Sequence, residues 1–264
     1  MKVPTYYYQQ FDADPNLEFP QENFGGWNTG EVELDPKHTA IVVMHAWDLG
    51  TPEEHPGLFR AVGCTQATYD ICENVFPDFL SAVRKSDFHL FHIVSGSGYF
   101  EDYDGYKRTL ALDNPEVELA QADPDSTYNE LRAFKGKNVF TGEHNGEDMR
   151  GAWARVAFPK EAEPQGDEGI AKDEHQLTAL CQDAGVNHII YAGFNIDWCL
   201  IMSPAGMVDM NRRGFICSAF RDAVTAVENK ETVREGISKD VSLWRVSVGF
   251  GFVFETVDFI KAID

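Results

Sequence analysis

Cys199 closes the stretch Gly193-Phe194-Asn195-Ile196-Asp197-Trp198-Cys199. Before it, Asn187-His188-Ile189-Ile190-Tyr191-Ala192 is apolar and β-rich, the pattern of a buried strand. After it, Leu200 to Arg213 spaces Met and Val as on one helix face. The thiol therefore falls where a strand ends and a helix begins. That is the crevice in which open α/β sheets bind their ligands. A helix N-terminus also offers free N–H groups and the positive end of the dipole, and both favour thiolate over thiol. In such a place a cysteine is either a nucleophile or a small buried apolar residue.

Other strands must bring partners to that thiol. Thr39-Ala40-Ile41-Val42-Val43-Met44 is continuously apolar, as in a parallel strand buried on both faces, and runs into His45-Ala46-Trp47-Asp48-Leu49-Gly50. A helical stripe from Thr65 carries Tyr69, Cys72, Val75, Phe76, Phe79, Leu80 and Val83, with Pro77 kinking or breaking it. Phe88 to Val94 reads as the second strand. His89 and His92 lie on its opposite faces and so form no same-face metal pair. Ser95-Gly96-Ser97-Gly98 is a turn that matches neither a P-loop nor a dinucleotide fingerprint. Trp153 to Lys160 reads as the third strand. A helix from Asp173 turns Leu177, Leu180 and Cys181 inward and closes at Gly185. Phe215 to Phe220 is a strand, 228–245 a helix, 249–254 a last strand and 256–263 a terminal helix. This alternation gives a doubly wound, mostly parallel sheet with helices on both faces, a three-layer α/β domain over 37–264. Residues 1–36, aromatic and with little periodicity, read as an irregular N-terminal arm. Residues 99–151 read as an acidic insertion (Asp102, Asp104, Asp113, Glu116, Glu118, Asp123, Asp125) with a helix over Ser126 to Phe134, able to cap the pocket.

The strand, the Gly193 turn and Cys199, with Pro204, Gly206, Met210 and Gly214 downstream, resemble the hallmark segment of the isochorismatase-like cysteine hydrolases, in a less characterised branch. The resemblance spans about Thr39 to Thr225. It implies a six-stranded sheet and a Cys nucleophile served by an Asp and a Lys from two other strands. The Lys position matches Lys160. The Asp position holds His45, a departure from the family pattern. His45 can act as the base of a Cys–His pair, Asp48 can supply the carboxylate if its loop turns back, or His45 is a satisfied structural histidine. The resemblance also implies a non-proline cis peptide at Ile196–Asp197, which turns the N–H groups near Asp197 and Cys199 toward an oxyanion, with Trp198 between them. Asp197 can N-cap the next helix, and Pro204 must disturb its first turn. Trp47, Asp48, Phe194, Asn195 and Trp198 are the expected pocket. Relatives are usually homo-oligomers, so a dimer or tetramer is expected.

Composition bounds the rest. A net charge of −21 repels nucleic acid and anionic membrane. No run of about 18 apolar residues is present, so no membrane span is expected. Five cysteines without metal-type CxxC spacing point to reduced thiols and a cytoplasmic protein. No Asp-x-His metal box follows the first strand, so no metal or cofactor is expected. Two functions remain open: a cysteine hydrolase of a small amide, ureido or related C–N substrate working through a thioester, or a non-catalytic small-molecule-binding protein on the same scaffold, in which His45 marks lost activity.

Overall fold

The computed structural model describes residues 1–112 and 123–263. Asp113, Glu116 and Glu118 of the acidic cluster lie outside the described residues. The strands are β1 (Lys2–Gln9), β2 (Gly26–Glu33), β3 (Thr39–Met44), β4 (His89–Ile93), β5 (Gly169–Ala171), β6 (His188–Gly193), β7 (Ile216–Val224) and β8 (Val253–Phe254). The helices are α1 (Pro56–Ala61), α2 (Thr65–Asn74), α3 (Phe76–Lys85), α4 (Asp104–Ala111), α5 (Ser126–Asn138), α6 (Gly146–Trp153), α7 (Glu174–Ala184), α8 (Cys199–Met202), α9 (Met207–Arg212), α10 (Ile237–Gly249) and α11 (Thr256–Ile263).

One sheet runs in the order β2-β1-β8-β7-β6-β3-β4-β5. The six strands from β8 to β5 are parallel. Strict alternation splits their side chains between two cores, as a period of two requires. Ala40, Val42 and Met44 of β3 face α7, α9 and α10 through Leu180, Met210 and Val246. Ile41 and Val43 face α3 and α11 through Phe79, Leu80 and Phe259. The sheet is thus covered on both faces.

Four sequence expectations need correction. The sheet has eight strands rather than six, because the N-terminal arm is not irregular. Its β-rich run Val3-Pro4-Thr5-Tyr6-Tyr7-Tyr8 pairs antiparallel with β2. It docks on the β8 edge through Tyr6 opposite Val253, with Val3 and Thr5 buried. Residues 153–160 are not the third strand. α6 runs into Trp153 and only an isolated bridge, Asp48 to Ala157, follows. The third parallel strand of the core is β5, short enough to be missed as a loop. The interruption expected at Pro204 is present: α8 ends at Met202 and the helix resumes as α9 at Met207. The last strand shrinks to Val253–Phe254, because α10 extends through Gly249. The helix read over 228–245 is α10, which begins only at Ile237. Two local signals hold: Pro77 sits in the first turn of α3, separating it from α2, and Gly185 caps α7 at φ 72°.

Candidate active site

The parallel register fixes which residues emerge at the carboxyl edge of the sheet. Met44 lies opposite both Ile93 and Gly193, and Ile93 lies opposite Ala171. The next residues, His45, Val94, Phe194 and Lys172, therefore leave the sheet side by side. Backbone bonds hold the exits: Phe194 N–H to the Met44 carbonyl (3.0 Å) and His45 N–H to the Ile93 carbonyl (2.9 Å). Gly193 is required here. Its φ is 122°, and a Cβ would lie 2.0 Å from the Met44 carbonyl oxygen.

The turn from Phe194 to Cys199 is pinned along its length. Its cis peptide is Phe194–Asn195, two residues earlier than the resemblance implied. The Asn195 side-chain oxygen accepts from Thr225 Oγ1 (2.5 Å) and from Cys64 Sγ (3.2 Å). The Asn195 carbonyl accepts from the N–H groups of Trp198 (3.2 Å) and Leu200 (3.1 Å). Ile196 N–H donates to the Thr225 carbonyl, and Asp197 accepts from Val227 N–H (2.9 Å). Asp197 spends its carboxylate on the β7 exit rather than on capping α8. Burial holds its pKa up.

Cys199 opens α8, which is a single turn, so the dipole expected from a long helix is small here. Its side chain is half-buried. Among the described residues the Cys199 N–H has no hydrogen-bond acceptor, whereas those of Trp198 and Leu200 are taken by Asn195. The other four thiols are all pushed up by burial: Cys64 to about 11, Cys72 and Cys217 to about 12, and Cys181 further. For Cys64, the neighbouring Asp197 and Cys199 add to the rise.

His45 sits at φ 55°, buried and stacked on Trp47 at 4.3 Å between ring centres. Burial drops its pKa to about 3, so the ring is neutral near neutral pH and a weak base. Its Nδ1 has no partner among the described residues. A cavity of about 70 Å³, room for two or so waters, is lined by His45, Trp47, Cys64, Trp153, Phe194 and Asn195. A larger cavity of about 520 Å³ holds Asp48 and Lys160 together with His55, Tyr69 and Arg155. Leu49 lines both. The expected residues thus separate into two groups. His45, Trp47, Phe194 and Asn195 share the smaller cavity at the start of the turn, beside Cys64 rather than Cys199, while Asp48 turns its carboxylate onto Gly50 N–H (3.0 Å) and faces the other cavity with Lys160. Lys160, on the short 3₁₀ turn Lys160–Ala162, and Lys172, after β5, are both exposed.

Three residues were missed from sequence. Cys64 and Thr225 come from distant segments, and nothing local marks them. Lys172 had a signal. It follows Gly169-Ile170-Ala171 directly, and Asp173 then caps α7 by accepting from Gln176 N–H (2.9 Å), while Gln176 accepts from Lys172 N–H (3.0 Å). An apolar triplet before such an Asp-x-x-Gln start is a strand–turn–helix junction. With the third strand moved to β5, Lys172 rather than Lys160 is the lysine at a strand end.

An open, mostly parallel α/β sheet with a half-buried thiol at its carboxyl edge defines the class of protein. No family model matches the chain, and no curated protein matches it. Among solved structures, the chain is similar to a cysteine hydrolase from Pseudomonas syringae pv. phaseolicola 1448A, at 16% identity over 87% of this chain and 94% of that one (TM-score 0.48). It is similar to an isochorismatase-like hydrolase from Alkaliphilus metalliredigens at 15% identity, covering 86% and 99% (TM-score 0.47). It is also similar to N-carbamoylsarcosine amidase from Thermoplasma acidophilum at 14% identity, covering 83% and 96% (TM-score 0.40). These likenesses concern the chain's course, and the chemistry is read from the residues themselves.

Proposed function

We propose that this chain is a cysteine-dependent hydrolase of a small amide, ureido or related C–N substrate. The observation that carries this reading is the half-buried Cys199 at the end of a multiply pinned turn, with its own N–H unspent. Its Sγ attacks the substrate carbonyl carbon, and the oxyanion is held by the Cys199 N–H. The C–N bond breaks, the nitrogen leaves with a proton as ammonia or an amine, and a thioester remains. Water then cleaves the thioester to a carboxylic acid and restores the thiol. Lys172, on the same sheet edge, is our choice for the cationic group, in place of Lys160. His45 acts as a neutral hydrogen-bonding ring beside the turn rather than as a strong base.

The test is intact-mass spectrometry during incubation with a panel of small amides and ureido compounds. An acyl adduct is expected on Cys199, with turnover at least about 10³-fold lower in Cys199→Ala. Lys172→Met is expected to lower turnover more than Lys160→Met. Unchanged turnover in Cys199→Ala, or alkylation of Cys199 no faster than that of Cys64, sinks the proposal. A second reading, a binding protein without catalysis, is favoured by His45, whose buried imidazole is a poor base. It predicts saturable ligand binding with no adduct and no product.

A further inference from the structure

The cavity of about 520 Å³ beside the β3 exit is of small-ligand size, and no step proposed above uses it. Cys199 lines neither it nor its smaller neighbour. Its charges are sorted by segment. The loop after β3 and α2 bring Asp48, Glu54 and Glu73, whereas the segment after α6 brings Arg155 and Lys160. Arg155 reaches Glu54 only at 4.0 Å, and Lys160 has no ion pair among the described residues. His55 adds an aimed acceptor to the first segment. It is 9% exposed. Asp148, fixed by the Leu58 N–H (2.9 Å), faces its Nδ1 at 3.5 Å. That carboxylate draws the ring proton to Nδ1 and leaves the lone pair on Nε2. The Cδ2–Nε2 edge lies beside Gly50, where a Cβ would come within 2.9 Å of Cδ2, and Gly50 lines the cavity too. Nε2 has no hydrogen-bond partner among the described residues. A buried nitrogen left unpaired in this way is a seat for a ligand's N–H.

Between the charges the lining is apolar. The Tyr69 hydroxyl is spent, donating to the Gly50 carbonyl and accepting from the Leu49 N–H (both 2.9 Å), which leaves its ring. Burial, helped by Glu161, Glu73 and Asp48, keeps the Cys72 thiol neutral. Leu49 and Pro159 complete this surface. A bare anion would be repelled by the carboxylates and by a chain of net charge −21. A bare cation would leave Arg155 and Lys160 unanswered. A single metal ion does not fit, because among the described residues no three His, Cys, Asp or Glu side chains are grouped to hold one. A molecule of both signs with an apolar body answers every group. We infer that this cavity binds an α-amino acid with an apolar side chain, its ammonium on His55, Asp48 and Glu73 and its carboxylate on Arg155 and Lys160. The site stands apart from Cys199 and does not rest on the reading of that thiol.

Calorimetric titration of the full chain with phenylalanine, phenethylamine and hydrocinnamate tests this, since the last two each lack one charge of the first. Saturable binding of phenylalanine is expected, about fivefold tighter than that of either analogue. Glycine, without the apolar body, should bind at least about tenfold more weakly than phenylalanine. Arg155→Met with Lys160→Met is expected to weaken phenylalanine about fivefold and to leave phenethylamine as it was. Both side chains are exposed, so the fold survives the change. Asp48→Asn with Glu73→Gln is expected to weaken phenylalanine similarly and hydrocinnamate not at all. In the wild type the His55 Nε2 resonance should move on addition of phenylalanine. Cys199→Ala should bind as the wild type does. Absence of saturable phenylalanine binding overturns the inference. So does an analogue or glycine binding within twofold of phenylalanine, or binding indifferent to the Arg155 and Lys160 substitutions. Unchanged turnover in Cys199→Ala bears on the catalytic reading alone.

Discussion

His45 shows what burial does to a single imidazole. Its pKa of about 3 lies far below the ordinary 6.5, because the charged form is excluded from the space between β3 and Trp47. The unfolded chain takes up this proton below pH 6.5 and the folded chain does not. Stability is therefore full above pH 6.5 and is lost as pH falls from 6.5 toward 3. In His45→Gln that loss disappears. We expect the stability difference between wild type and variant to move by about 2–3 kcal/mol in the variant's favour between pH 7 and pH 4.5. Urea denaturation at the two pH values measures it, and an equal difference at both refutes it. The same burial means that a pH–rate profile should show no limb near 6.5 from this residue.

At the scale of elements, the site depends on how closely β6 can leave the sheet beside β3. Gly193 at φ 122° passes the Met44 carbonyl with no room for a side chain. Gly193→Ala must therefore move the strand end or adopt a strained backbone. A loss of at least about 3 kcal/mol is expected, because the left-handed strain and the backbone clash add. Thermal unfolding reads the loss directly. Alkylation of Cys64 should quicken in the same variant, since its hydrogen bond to Asn195 depends on that turn. A variant as stable as the wild type, with Cys64 still slow to react, counts against this account.

At the scale of the whole molecule, a buried polar knot ties the sheet to its covering. His92 in β4 donates from Nε2 to Glu168 (2.9 Å), and Arg84 in α3 meets the same carboxylate at 2.6 Å. Burial keeps His92 neutral, so Arg84 supplies the charge. Burial alone would raise Glu168, yet hydrogen bonds from His92 and Arg84 outweigh it and hold the pKa at about 2. A lowered carboxyl contributes stability that is complete above its ordinary value near 4.5 and is lost as pH falls toward 2. Glu168→Gln should cost about 3 kcal/mol at pH 7 and almost nothing near pH 2. Denaturation midpoints across that range decide it; a cost that does not shrink with acid refutes the pairing.

Sequence alone determined the layered architecture and the place of the thiol. The continuously apolar strand runs, Pro77, Gly185 and the run into Gly193 are local signals, and each acts within a few residues of itself. The tertiary structure decided which side chains meet. β5 is three residues long and carries no period of its own, so only its pairing with β4 makes it a strand. That pairing puts Lys172, not Lys160, at the sheet edge. The arm became a hairpin because the β8 edge was open to it. Cys64 and Thr225 reach Asn195 across gaps of 131 and 30 residues. No spacing rule covers such distances; packing alone sets them.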